Sequence, residues 1–251
     1  MEINYPTGNQ EARLQTLWRL AFGDPEELIA GFFASGYSPR RCRCAVENGN
    51  VAAALYWFDA EFRGQKFAYL YAVATHPDFR NRGLCRTLMA DTAACLTERG
   101  YDGALLMPQD SGLREMYGRM GFRDCCTVSE FACDAGEAVA LRPVSRGEFA
   151  ALRRKYLPPD GVIQEGANLS YLERYAAFYA GADFLLAAAP NGDSLTGMEL
   201  LGSTGAAPGI LGALGVSHGR FRTPGTALPG AMFRSLRADA DAPGYFGLIF
   251  D

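Results

Sequence analysis

The chain has 251 residues, of which 49% are apolar and 21% charged, and its net charge is −4. That composition excludes a disordered polar chain and leaves room for one large domain or two small ones. The acidic balance points away from nucleic acid as the main partner, although a local arginine cluster can still hold a small anion.

Seven cysteines with no regular spacing argue against a disulfide framework. Cys42 and Cys44, and Cys125 and Cys126, stand too close in sequence for the usual zinc pairs, so no metal is expected. Residues 1–6 carry neither a basic start nor an apolar core, so no signal peptide is expected. The longest apolar runs, 51–58 and 67–74, fall well short of the ~18 residues that a membrane span needs. A cytoplasmic protein without membrane contact is the expectation.

In chain order, 11–22 reads as an amphipathic helix with Leu14, Leu17, Trp18 and Phe22 on one side. Gly23 stops it, Asp24 is the expected N-cap of a second helix, and Pro25 suits its first position. Residues 43–47 and 51–62 flank Asn48-Gly49-Asn50, a strong hairpin signal. A third strand follows at 67–75, a long helix at 82–99 and a short apolar strand at 103–107. A further helix at 111–119 has Ser111 as its expected cap, and a strand returns at 123–133. This order specifies an α+β fold, an α/β sandwich around a mixed sheet flanked by helices.

Near residue 135 the order restarts. A strand at 138–143 leads to helices at 147–156 and 169–179. Strands at 183–188 and 197–201, a short helix at 208–214 and closing strands at 232–233 and 245–250 follow. The echo suggests a second, diverged copy, with a first domain over 1–135 and a degenerate one over 136–251.

The most informative stretch lies between the third strand and the long helix. A strand that enters a helix through a basic, glycine-containing turn makes an anion site. The first helical N–H groups lack intrahelical acceptors, and the helix dipole favours negative charge there. Arg80, Arg82 and Arg86 add donors for charge-assisted hydrogen bonds.

At this turn the chain resembles the GNAT family of N-acetyltransferases. Their acetyl-CoA loop reads Arg/Gln-x-x-Gly-x-Gly/Ala after a strand. Here it reads Arg80-Asn81-Arg82-Gly83-Leu84-Cys85, with Cys85 in place of the final small residue. A second landmark is a helix ending in Tyr-x-x-x-Gly-Phe, here Tyr117 to Phe122. Asp110 stands seven residues before the tyrosine, where the family often has asparagine. The opening Leu17 to Asp24 is similar to that of bacterial two-lobed members.

The resemblance implies acetyl-CoA as co-substrate. The backbone of Val73, Ala74 and Thr75 would meet the pantetheine arm. The N–H groups from Asn81 through Gly83, Leu84, Cys85 and Arg86 would hold the pyrophosphate, helped by Arg80 and Arg82. Tyr117 would face the thioester sulfur as general acid. By analogy with tandem relatives, the C-terminal Asp251 is a candidate base, beside Asp59, Glu61 and Glu130. The acceptor would be a small-molecule or peptide amine, with the degenerate lobe walling its cleft. A non-catalytic module that binds CoA or another phosphate-bearing ligand is the alternative. The residues say nothing of oligomeric state.

Two further motifs compete. Gly215-Val216-Ser217-His218-Gly219 fits a hydrolase nucleophile pattern, but the sequence beyond it does not suit a helix. Residues 222–227 spell the CoA-loop pattern again, after an expected helix rather than a strand, and Pro224 removes a donor. No Gly-x-Gly or Gly-Lys pair offers a dinucleotide or Walker loop.

Overall fold

The structure, a computed structural model, describes residues 1–238 and 240–250. They form two compact units, Met1–Arg123 with Met232–Asp241, and Asp124–Ala231 with Ala242–Asp251.

The first unit contains β1 (Glu2–Asn4), α1 (Glu11–Phe22), α2 (Glu26–Ser35), β2 (Cys42–Glu47), β3 (Asn50–Phe62), β4 (Gln65–Thr75), α3 (Leu84–Glu98), β5 (Gly103–Leu106) and α4 (Ser111–Gly118). The strands run in the order β1-β2-β3-β4-β5, followed by Met232–Ser235. The pairing is antiparallel except for β4 with β5, which is parallel and crossed by α3. The hairpin turn falls at Asn48-Gly49, with φ of 50° and 78°, as a two-residue turn between right-twisted strands requires.

β3 and β4 read as continuous apolar runs because both sheet faces are covered. Leu55, Trp57, Ala68 and Leu70 face α3, whose Leu84, Leu88, Met89 and Leu96 complete that core. On the other face Tyr56, Phe58 and Tyr71 meet Trp18 and Phe32 of α1 and α2. Two cap assignments change. The Asp24 carboxylate accepts from Trp18 Nε1 at 2.7 Å, and α2 begins after Pro25. Asp110, not Ser111, caps α4, accepting from the Leu113 N–H at 2.7 Å. An aspartate one residue before a serine can take the same role, and the sequence alone does not choose between them.

The second unit is also a mixed sheet. Its order is Leu228–Pro229, Thr127–Asp134, His218–Pro224, Ser194–Gly202, Phe184–Asn191, Ala177–Ala180, Arg142–Pro143. Helices Arg146–Tyr156, Ala167–Leu172 and Ala207–Leu214 accompany it, and Ile210, Leu211, Phe184, Leu200 and Phe221 share one core. The dividing point is Arg123, earlier than the expected 135, because Thr127–Asp134 pairs with His218–Pro224. Conversely, Met232–Ser235 belongs to the first unit, where it pairs with β5.

Other expectations fail locally. The expected strand over 138–143 shrinks to Arg142–Pro143. The helix over 169–179 ends at Leu172, and Ala177–Ala180 is a strand paired with Phe184–Asn191. There Phe178 stacks on Phe149 at 4.3 Å, so cross-element packing overrides the helical spacing. An unexpected strand forms over His218–Pro224. Residues 245–250 are buried without forming a strand. Side chains satisfy part of that backbone: Leu248 N–H donates to Gln164 Oε1 at 3.1 Å, and Leu248 C=O accepts from Gln164 Nε2 at 2.6 Å.

Candidate functional site

The site begins with a fault in the sheet. Between Ala54 and Tyr56 of β3, β4 carries one extra residue, a β-bulge. Ala72 sits in the left-handed region at φ 48°, a strained conformation for alanine. The β4–β5 pairing covers Phe67 to Tyr69 against Gly103 to Leu105 and, among the described residues, runs no further. The end of β4, carrying Val73, Ala74 and Thr75, therefore lies beyond its pairing with β5. A splayed parallel pair presents strand backbone that an extended ligand can join as an added strand. No sequence signal marks this bulge, because alanine rather than glycine holds the positive φ.

The basic loop comes directly after it. Beyond a short turn at Pro77–Phe79, Asn81 and Gly83 both have positive φ, 61° and 76°. Gly83 is the N-cap of α3, no side chain caps the helix there, and no atom lies within 4 Å of where a Cβ would stand. The leading N–H groups of this helix have no acceptor within the helix. Leu84 is buried and anchors the first turn, whereas Arg80, Asn81, Arg82, Gly83 and Arg86 are exposed. Arg80 Nε donates to Thr75 O at 3.3 Å, tying the loop back to β4. Arg82 lies over the Phe79 ring at 5.1 Å and 3.7 Å from Glu47. Cys85 packs into the same apolar cluster as Val73 and Met116, and burial pushes its thiol up from its ordinary value.

Tyr117 closes the constellation. It lies at the end of α4, is 7% exposed, and meets Phe122 edge-on at 6.0 Å. The Phe122 N–H donates to Tyr117 O at 3.1 Å, which folds the Gly121-Phe122 corner back onto the ring. Burial, then the nearby Cys85, raise the Tyr117 hydroxyl well above the ordinary tyrosine value, so it stays protonated. Val73, Leu84, Cys85 and Tyr117 share one apolar core, and Tyr117 is near enough to Cys85 for the thiol to act on its hydroxyl.

Two of the candidate bases, Asp59 and Glu61, do not join them. Asp59 and Glu61 pair with Ala68 and Lys66, at the opposite end of β4 from the bulge. Asp59 also accepts from Tyr101 and lies 3.4 Å from Arg41. Glu130, in the second unit, is held by Arg220 and Arg222. Asp251 lies outside the described residues.

The competing motifs dissolve. Ser217 follows the helix Ala207–Leu214 and precedes the strand His218–Pro224, the reverse of a nucleophile elbow. Residues 222–224 lie on that strand itself, not after a helix as expected, and the nearest following element is Leu228–Pro229 rather than a helix. Among the described residues, no group of three or more His, Cys, Asp or Glu could hold a metal ion. No described helix is long and apolar enough to cross a membrane.

The splayed strands and the uncapped, open helix start fit a long ligand with an anionic diphosphate near one end. The profile of the GNAT acetyltransferase domain matches residues 2–125. No curated protein matches the sequence. Among solved structures, a GCN5-related N-acetyltransferase from Anabaena variabilis is similar over 94% of this chain and 73% of its own, with TM-score 0.73 and 15% identity. Eis1 from Mycobacterium abscessus is similar over 94% and 74%, with TM-score 0.70 and 14% identity. A GCN5-related N-acetyltransferase from Kribbella flavida covers 93% and 70%, with TM-score 0.70 and 15% identity. At these identities the likeness speaks for the fold, and it extends through both units. The sequence profile carries the rest: the N-terminal half of this chain belongs to the GNAT acetyltransferases.

Proposed function

We propose that the protein is an acetyl-CoA-dependent N-acetyltransferase in which an amine attacks directly within a ternary complex. The observation that carries this reading is the convergence of the splayed β4, the open α3 N-terminus and the protonated Tyr117 on one end of one sheet. Bound acetyl-CoA supplies a thioester carbonyl. The chain's own residues hold and protonate around it. N–H groups from Asn81 through Arg86 bind the diphosphate, with Arg80 and Arg82 adding charge. The backbone of Val73, Ala74 and Thr75 orients the pantetheine arm. Tyr117 keeps its proton and donates it to the departing sulfur, whose thiol has an ordinary pKa of about 8.5.

An alkylamine with pKa ~10.4 must first lose a proton, which costs about 4.6 kcal/mol at pH 7. We assign that task to the carboxylate at Asp251, acting directly or through water. The second unit is assigned to acceptor binding rather than to a second cofactor. Thiol release from acetyl-CoA in the presence of aminoglycoside, polyamine, amino-acid and peptide amines tests the reading. Amine-dependent release by the native chain supports it. Tight CoA binding with no release for any amine class favours a non-catalytic binding module.

A further inference from the structure

Cys125 and Cys126 take no part in the chemistry above, yet their sulfurs lie 3.2 Å apart. No other two cysteine sulfurs among the described residues are within hydrogen-bond reach of one another. Cys125 is partly exposed and its thiol donates to Ala231 O at 3.3 Å. Cys126 is buried and its thiol donates to Pro243 O at 3.5 Å. A disulfide needs sulfurs about 2.05 Å apart, so closure asks for a movement of only about an ångström.

We propose that Cys125 and Cys126 form a vicinal dithiol that closes reversibly to a disulfide when the protein meets a hydroperoxide. The accessible Cys125 sulfur attacks the peroxide O–O bond, forms an S–O bond and releases water or an alcohol. The Cys126 sulfur then attacks the Cys125 sulfur. The S–O bond breaks and the hydroxyl leaves as water with the Cys126 proton. Two thiols and one hydroperoxide give one disulfide, one water and one alcohol or second water.

The ring would be reversible for a geometric reason. Adjacent Cα atoms stand about 3.8 Å apart across a trans peptide, below the ~4.4–6.8 Å that unstrained disulfides span. A strained disulfide is readily reduced by other thiols. Its closure also has somewhere to act. The N–H groups of Cys125 and Cys126 both donate to Ala231 O, at 3.4 and 3.3 Å, and Cys126 C=O accepts from Gly230 N–H at 2.8 Å. Twisting the 125–126 peptide into a ring would loosen this clamp.

The full-length protein is exposed to stoichiometric hydrogen peroxide, alkylated without reduction, and digested after Arg and Glu. The peptide spanning 124–130 then contains these two cysteines alone. The expected result is loss of two hydrogen atoms with no alkylation, restored to double alkylation by prior dithiothreitol. In Cys126→Ser, Cys125 should instead be trapped by dimedone as a sulfenic acid. Full alkylation of both thiols after peroxide would overturn the proposal. So would Cys125 carrying two added oxygens beside an alkylated Cys126, or a disulfide from either residue to another cysteine.

Discussion

Each unit contains a parallel strand pair crossed by a helix, and the two crossings diverge in one place. In the first, β4 and β5 are linked through α3. In the second, Ser194–Gly202 and His218–Pro224 are linked through Ala207–Leu214. Both pairings stop before a bulge, which lies near Ala72 in the first and near Met198 in the second. The backbone fault that splays the strands is therefore common to both. The turn and helix beyond the fault are not. The first crossing has an exposed basic loop and a helix of 15 residues with an uncapped, open start. The second has a helix of 8 residues, no arginine or lysine in the turn before it, and Pro208 in its first turn, where an N–H donor is lost.

The residue after the second bulge is Glu199, 1% exposed and ion-paired with Arg153 at 2.6 Å. Tyr245 donates to it at 3.0 Å, and a Cβ at Gly247 would collide with its carboxylate. The chain's own C-terminal stretch thus lies against the second bulge, whereas the proposed function gives the first to a ligand. On the proposed reading a splay alone does not make an anion site, and the basic loop beyond it is what sets the first crossing apart.

Substitutions can break or sharpen this contrast. The largest effect is expected from Tyr117→Phe, which should lower kcat by roughly 10²–10⁴-fold with acetyl-CoA affinity unchanged. In the native enzyme Tyr117 should add no alkaline fall in kcat below pH 10.0, the ordinary tyrosine value, because its raised pKa keeps the donating form in place as pH rises. Next, Glu199→Gln should cost about 3–5 kcal/mol of stability by stranding buried Arg153. Thermal melting reads this, and the double change Arg153→Met with Glu199→Leu should recover much of the loss. Arg80→Ala or Arg82→Ala should weaken acetyl-CoA binding by about 1.5–3 kcal/mol, more at low salt. Arg222→Ala, in the second copy of the loop pattern, should leave it unchanged. The smallest effect is expected from Ala72→Gly, which removes the left-handed strain and should raise stability by about 1 kcal/mol, read as a modest rise in Tm.

Much of the first unit was legible because its signals are local. The 11–22 helix, the Asn48-Gly49 turn and the strand–loop–helix passage through Gly83 each rest on a few neighbouring residues. The bulge was not legible, because its cause is a register mismatch between β3 and β4 that no single residue marks. The strand exchange was hidden for the same reason: Met232–Ser235 pairs with β5, more than a hundred positions earlier. In the second unit residues 169–179 were expected as one helix, and only the pairing of Ala177–Ala180 with Phe184–Asn191 makes part of that stretch a strand. Of the site, the loop and Tyr117 were readable from motifs. The base was not, since carboxylates are common and only geometry removes Asp59 and Glu61.

The most direct test of the contrast is calorimetric titration of the full-length protein with acetyl-CoA, with ATP as a control. One molecule bound per chain, weakened by Arg80→Ala and indifferent to Arg222→Ala, is the predicted result. Two molecules per chain, or one that survives disruption of the Gly83 loop, would contradict it.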